Sequence, residues 1–509
     1  MVLDRPRTSP TVRAVWLLAL AALLLIPILA FEQFSSRSQL TLTPQLSHPS
    51  GYYYEGFYLK LAAEPNATVR YTLDGSAPSP SNGFTYSSPI WIDDLAGVVV
   101  IRSSAIAANG EQGDEVSASY FMGIDSTLPL ISVTTDPTNL WDPNEGIIAN
   151  PFQRGREWER EAKMTYVDVD RISTLEAPMG LRIHGGVTRR YDKKSFRLYF
   201  REAYGQDWIN YRLFSEHQVE KYERIVLHSG GQDALEEYRD WSLIRNQLVS
   251  QFAFEVGGLA THSRPVLLFI NGEPWGIYLM RERIDESYLE SNFGITDATI
   301  LDTPELNQRG EEPEQAQWDN LMVFVENNDL SESEHYSFIE SQIDVDNYID
   351  YNIIQMYSGN IDWPHRNVNL FRPNSGDGRW QWIFWDNDSA FALNGVSKLD
   401  ENMVGFATHP EVDGTVLLRK LMENDGFRNK FTARAELLLS TVLAPENVSA
   451  HIDRLAAELE PNLLHESGRW GNSLSWEQSI DELHEFAEKR PDIMRDHLKN
   501  YLIQFESDQ

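Results

Sequence analysis

The chain has 509 residues, too many for a single hydrophobic core, so about two to four domains are expected. A composition that is 42% hydrophobic, with 14 Trp and 21 Tyr, excludes a disordered chain. A formal net charge of −33 excludes electrostatic docking on DNA, RNA or anionic lipid, and the absence of Cys excludes disulfides, thiolate catalysis, Cys-ligated zinc and a lipoprotein anchor.

The N-terminus carries a location signal. Arg5, Arg7 and Arg13 precede an uncharged run, Ala14–Phe31, AVWLLALAALLLIPILAF. Its length reaches the lower limit for a membrane span and exceeds the apolar core of a cleaved signal peptide. Arg on the first flank and Glu32 on the second orient the N-terminus to the cytoplasm and the bulk outward. The expectation is a cytoplasmic tail over 1–13, a single-pass anchor over 14–31 and an extracytoplasmic bulk. Secretion after cleavage behind Ala30 is the alternative. Residues 32–41 read as a polar linker.

From 42 to 123 the pattern is all-β. YYYEGFYLKLAA, TVRYTLDG, GVVVIRSSAIA and SASYFM alternate apolar and polar positions between turn residues, and Asp74-Gly75 is a hairpin signal. Strands at this spacing predict a small β-sandwich. Its Tyr52, Tyr53, Tyr54 and Phe57 suit core packing, with a carbohydrate-contacting surface as the alternative. The string ATVRYTLDGSAPSPSNGFTYSSPIWI resembles the chitobiase/β-hexosaminidase C-terminal type of Fn3-like module, which implies an accessory spacer or binding domain.

A second domain is expected over 124–505, β-rich first and α-rich afterwards. Residues 131–135, 164–169, 180–184 and 194–200 read as strands, and 241–256 as a helix capped by Asp240. PVLLFINGEPWGIYLMRERID, 265–285, is a hairpin turning at Asn271-Gly272. An amphipathic helix follows at 346–357, then a short hairpin from NVNLF and WQWIFW, and helices beyond 415. The predicted class is therefore α+β and multidomain, with two lobes and a cleft between them.

Chemistry concentrates in DWPHRN, 362–367, and WDND, 385–388. An Asp five residues before an Asn, then paired Asp at the end of an apolar strand, is the order a phosphoryl-transfer site of the protein-kinase kind needs. In such a site Asp362 would orient or deprotonate the acceptor hydroxyl, and Asn367 and Asp386 would bind metal, with Asp388 a further ligand or an orienter of Asp386; the alternative is a helix stop at Asp362, a turn residue at Asn367 and an Asp-rich turn at 386–388. Oxygen ligands without Cys or paired His suit Mg2+ or Mn2+. Arg189, Arg190 and Arg197 supply the local positive charge that an anionic substrate requires in so acidic a protein. On residues alone, Lys194 in KKSFRLYF reads more readily as a solvated strand lysine than as a phosphate clamp.

These segments carry a second resemblance. IHGGVTRRYDKKSFRLYF, DWSLIRNQL, FINGEPWGIYLMRERID, GNIDWPHRNVNLFR and WIFWDNDSAF, in this order, resemble the CotH family of atypical, spore-coat-type protein kinases over residues 126–505. The resemblance implies an ATP- and metal-dependent kinase acting on a protein substrate in the envelope or extracellular space. It implies Lys194, rather than Lys193, as the phosphate-holding ammonium, with Arg190 and Glu282 beside the nucleotide; for Glu282 the alternative is pairing with Arg281 or Arg283. Arg245 and Asn246 match the family's helix, and Gly185-Gly186 stand where other kinases have a glycine-rich loop. Another nucleotide-dependent transfer and a non-catalytic envelope scaffold are the rival readings.

Overall fold

The computed structural model describes residues 41–234, 241–303, 313–376, 378–393, 396–471 and 476–508. Among these, no helix is long and apolar enough to cross a membrane. The Ala14–Phe31 run and the Asp240 cap both lie outside the described residues.

The N-terminal module is a sandwich of short strands. Gly51–Tyr53 (β1), Phe57–Leu59 (β2), Thr68–Thr72 (β3), Phe84–Thr85 (β4), Ile90–Ile92 (β5), Gly97–Ile106 (β6) and Val116–Met122 (β7) form a five-stranded sheet, β1-β7-β6-β3-β4, and a small β2-β5 pair. Tyr53 and Phe57 pack with His48 and Tyr120, so these aromatics build the core. Tyr52 donates from its hydroxyl to Ile124 O at 3.1 Å, fixing the exit from the module. Of the four aromatics only Tyr54 is well exposed. The module rests on the next domain through Val98, Val100 and Phe121, which share a core with Phe269.

The first lobe of the second domain closes on itself. Leu130–Thr134 (β8), Arg160–Val167 (β9), Thr174–His184 (β10), Ser195–Tyr199 (β11), Arg224–His228 (β12), Ser263–Ile270 (β14) and Glu273–Glu282 (β15) form a barrel ordered β8-β9-β10-β11-β12-β15-β14, sealed by parallel pairing of β8 with β14. Strand alternation fills the interior with Met164, Met179, Phe196, Leu227, Val266 and Tyr278. The opposite parity puts Arg182, His184, Ser195, Arg197, His228 and Arg281 outside. A row of cations and imidazoles on one outer wall therefore follows directly from strand register.

Between β12 and β14 the chain visits the other lobe. Arg245–Glu255 (α1) is buried among its helices, and Leu259–Ala260 (β13) joins its sheet. The helix starts four residues later than expected. Ser242 gives its N–H and hydroxyl to Asp233, Trp241 gives its N–H to Ser479 Oγ, and Leu243 takes φ +62°, so 241–244 cannot be helical. Glu286–Phe293 (α2) and Ala298–Asp302 (β16) lead into helices Pro313–Asn327 (α3), Ser333–Gln342 (α4) and Val345–Ser358 (α5). The expected hairpin is present as Asn369–Pro373 (β17) and Gln381–Phe384 (β18), inside a four-stranded sheet β13-β18-β17-β16. Asp425–Leu439 (α6), Pro445–Leu459 (α7), Leu463–Trp470 (α8) and Trp476–Asp508 (α9) complete the helical lobe.

Candidate phosphoryl-transfer cleft

A cleft of about 690 Å3 opens between the outer wall of the barrel and the β17–β18 hairpin. Its floor is Trp385, Asp386 and Asn367, and its roof includes His184, Gly185 and Arg197.

The floor is set by unusual backbone. Asn367 and Asp386 adopt φ of +55° and +56°, a left-handed conformation that Asn and Asp tolerate better than other side-chain-bearing residues. Asn367 Nδ2 donates to Asp386 O at 3.2 Å, which locks the two turns together. Asn387 N–H donates to Asn246 Oδ1 at 2.9 Å, and Asn360 Nδ2 donates to Asn387 Oδ1 at 3.1 Å. The WDND turn is thus pinned by α1 on one side and the end of α5 on the other. Arg245 is buried against Asp233 and anchors the start of α1. Both α1 residues act through the turn rather than on a substrate.

Asp362 stands outside the cleft lining but near enough to Asp386 for its charge to help raise the Asp386 pKa. Ser389 Oγ donates to its Oδ2 at 2.9 Å, while Oδ1 meets only Arg366, at 4.0 Å, among the described residues. One carboxylate oxygen is therefore held and the other is left for an acceptor hydroxyl. Asp388 is nearly fully buried and accepts from Gln232 N–H at 2.8 Å. That contact requires Gly231, whose φ is +60° and whose Cβ would stand 1.8 Å from Asp388 Oδ2. Burial pushes the Asp388 carboxyl well above the usual carboxylate range, and the charge of Asp386 adds to the push. Asp386 keeps a third of its side chain exposed to the cleft. Enclosure between the lobes still raises its pKa, against the pull of Arg281.

Two residues missed at the level of sequence complete the site. Arg281 has a fully buried side chain, stacked 4.0 Å from the centre of the Trp385 ring. None of its three guanidinium nitrogens makes a hydrogen bond among the described residues, and Asp386 Oδ1 lies 3.7 Å from Nη2. A buried cation without hydrogen bonds is costly, so its retention points to an anion that completes it. His228 Nε2 lies 3.8 Å from Asp386 Oδ1, and its Nδ1 accepts from Gly230 N–H at 3.2 Å. With Nδ1 an acceptor, Nε2 carries the proton and points toward the floor, and His228, Asp386 and Asp388 each bring a ligand atom within 4.8 Å of the others. Burial, reinforced by Arg281, pushes its pKa well below the ordinary value and keeps it neutral. Strand alternation in GIYLMRE is the one signal that would have found Arg281.

The basic residues expected at the nucleotide are distributed differently. Arg197 lines the cleft and has its Nη2 2.7 Å from His184 Nδ1. Lys194 does not reach the cleft lining: strand parity turns it the other way, and its ammonium donates to Tyr191 O. Lys193, the less favoured of the pair, lies on the cleft side in parity and is close enough to His228 to help depress its pKa. Its ammonium is held in a buried pair with Glu466 at 2.6 Å and donates to Ile277 O at 2.8 Å. Arg189 is spent on four backbone carbonyls, those of Gly185, Pro151, Gln153 and Ile183, and so holds the Gly185-Gly186 turn in shape. Arg190 is exposed and packs on Tyr191, off the cleft lining. Glu282 points away from the cleft to His262 and Asn292, because it alternates with Arg281 and Arg283.

Asp386, Asp388 and Asn367 fit a hard divalent cation. They are oxygen donors, and the two carboxylates are held close together with raised pKa values, a repulsion that a cation would relieve.

Comparison with known proteins shows the family. The family model described as CotH kinase protein matches residues 181–494, and that described as Fn3 associated matches residues 58–120. The chain is 23% identical over 286 residues to the inner spore coat protein H of Bacillus subtilis (strain 168), covering 52% of this chain and 76% of that protein. It is 21% identical over 486 residues to spore coat protein homolog 1 of Rhizopus delemar, covering 86% of this chain and 72% of that protein.

Proposed function

This chain belongs to the CotH kinase family, and from that membership we propose that it transfers the γ-phosphoryl group of ATP to a Ser or Thr hydroxyl of an envelope or extracellular protein. The observation that carries the reading is the grouping, at the cleft floor and just behind it, of a half-free Asp362, a close Asp386–Asp388 pair and a buried guanidinium without hydrogen bonds. A non-catalytic scaffold has no reason to retain that arrangement, which costs stability.

Asp386, Asp388 and Asn367 would hold Mg2+ or Mn2+, which supplies charge neutralisation at the phosphates. Arg281, buried behind the lining residue Trp385, would turn its nitrogens to phosphate oxygens, and Arg197 adds charge from the roof. His228 donates from Nε2 toward the same floor. Asp362, oriented by Ser389, takes the acceptor hydroxyl's hydrogen bond through Oδ1 and receives its proton as the oxygen attacks the γ-phosphorus. The bond from that phosphorus to the bridging oxygen breaks, and ADP carries the charge away. Positioning and electrostatics supply nearly all of the acceleration in such a step.

The proposal places this site outside the cytoplasm, with Ala14–Phe31 as the membrane anchor, on the strength of its length, apolarity and Arg-rich flank. Full-length protein incubated with γ-labelled ATP, Mg2+ or Mn2+, and an envelope fraction should transfer label to protein. Asp362→Asn should abolish the transfer. Absence of label with either cation, in protein that is folded, overturns the kinase reading.

A further inference from the structure

Two passages of the chain between the lobes meet at one point. The chain leaves the helical lobe at β13 and enters the barrel at β14 through His262. It leaves the barrel at Glu282, the last residue of β15, for α2, whose Tyr288 and Leu289 pack with Phe371 and Ile383 of the other lobe. His262 Nδ1 lies 3.1 Å from Glu282 Oε2, so the incoming and outgoing strands touch through these side chains. The loop before Lys221 brings His217 onto them, with Nε2 3.9 Å from Glu282 Oε1.

The chemistry of this cluster differs from that of the cleft. Glu282 is 2% exposed and accepts from the His262 N–H at 2.9 Å, yet its ion-pair partners among the described residues are these two imidazoles and no Lys or Arg. A buried carboxylate ordinarily requires a full positive charge beside it. The imidazole rings are stacked at 3.7 Å and 15°, an arrangement that two protonated rings would resist. One ligand atom from each of the three residues falls within 4.8 Å of the others. A tetrahedral zinc site separates its ligand atoms by about 3.4 Å, and the imidazole nitrogens lie 3.1 Å from one oxygen of Glu282 and 3.9 Å from the other. Asn292 completes the surroundings: its Nδ2 donates to Glu282 Oε1 at 2.9 Å, and its Oδ1 lies 2.7 Å from His217 Nε2. Phe254 stacks on His262 at 4.5 Å, closing the inner side, while both imidazoles keep about a fifth of their surface open as an entry path.

We propose that His217, His262 and Glu282 form a second cation site, selective for a zinc-class ion, that fastens the two interlobe passages of the chain. Imidazole nitrogen selects zinc over the magnesium-class ion suited to the oxygen donors of the cleft. The site stands whether or not the cleft transfers phosphate.

The test is a cobalt titration of the full-length, untagged chain in detergent, with Mg2+ in excess to occupy oxygen-only sites. Wild type should show one equivalent of Co2+ with the visible absorption of a tetrahedral site, displaced by Zn2+. Asp386→Ala should retain it. His262→Ala and His217→Gln should each lose it, with affinity falling about tenfold or more. His217→Gln, which keeps a polar side chain beside Asn292, keeps the test decisive should His262→Ala fail to fold. Absence of the tetrahedral signal in wild type, its loss in Asp386→Ala alone, or its survival in folded His217→Gln overturns the proposal.

Discussion

Replacing Arg281 by Met separates a functional cation from a structural one. The Met side chain follows the first part of the arginine's path past Trp385 and removes the charge together with the guanidinium stacked on that ring. Arg281 Nη2 and Asp386 Oδ1 are 3.7 Å apart, an attraction of about 4 kcal/mol at an effective dielectric of 20. Water in the cleft reaches Asp386 and reduces this to about 2 kcal/mol. Against it stands the burial of a guanidinium that gains no hydrogen bonds, a penalty of several kcal/mol. The folded state should therefore lose nothing, and the thermal midpoint of Arg281→Met should equal or exceed that of wild type. Transfer should behave in the opposite way. Loss of one preorganised donor to developing phosphate charge lowers kcat by about 100- to 1,000-fold. Arg281 also holds the Asp386 carboxyl down against burial, so without it that pKa rises. The acidic limb of the residual rate should therefore move to higher pH. Differential scanning calorimetry and a pH–rate profile measure the two effects. A midpoint several degrees lower with unchanged kcat would refute the reasoning and make Arg281 a structural ion-pair partner.

Asp388→Asn should be more stable than wild type at pH 7. Its folded pKa is raised, so the native state loses stability as pH rises from the ordinary Asp value toward the folded one; the advantage of the variant should vanish below about pH 4. Denaturant melts across pH, without divalent cation, check the sign. Asp362→Asn should lower kcat by about 100- to 10,000-fold while calorimetric nucleotide affinity stays near wild type, because Oδ1 acts on the acceptor hydroxyl. Lys193→Met should destabilise the fold by about 3–5 kcal/mol, leaving Glu466 charged and unpaired inside; the double variant with Glu466→Leu should recover much of the loss in chemical denaturation.

Much of the architecture is legible in the residues, because alternation and turn chemistry are local. The hairpin at Asn271-Gly272, the helix Val345–Ser358 and the β17–β18 hairpin fall where periodicity and turn residues place them. Closure of seven strands into a barrel is not legible, since it rests on parallel pairing of β8 with β14 across more than a hundred residues. The acidic half of the candidate site reads from DWPHRN and WDND, where residue types with few other uses stand close in sequence. The basic half does not. Which of Lys193, Lys194, Arg190 and Arg281 faces the cleft depends on the residue at which each strand begins, and one residue reverses the answer. Strand β11 begins at Ser195, which turns Lys194 away, while the continuous run of β15 to Glu282 delivers Arg281. Glu282 and His262 carry no mutual signal, because the contact between them depends on how β14 pairs with β15.

The account stands most directly on where a divalent ion and a nucleotide bind. Crystals of the protein grown with Mn2+ and a non-hydrolysable ATP analogue, measured at the manganese edge, would locate both. The account predicts an anomalous peak within coordination distance of Asp386, beside Asp388 and Asn367, with a phosphate oxygen on Arg281. Nucleotide bound elsewhere, or a cleft without manganese under saturating conditions, would contradict it.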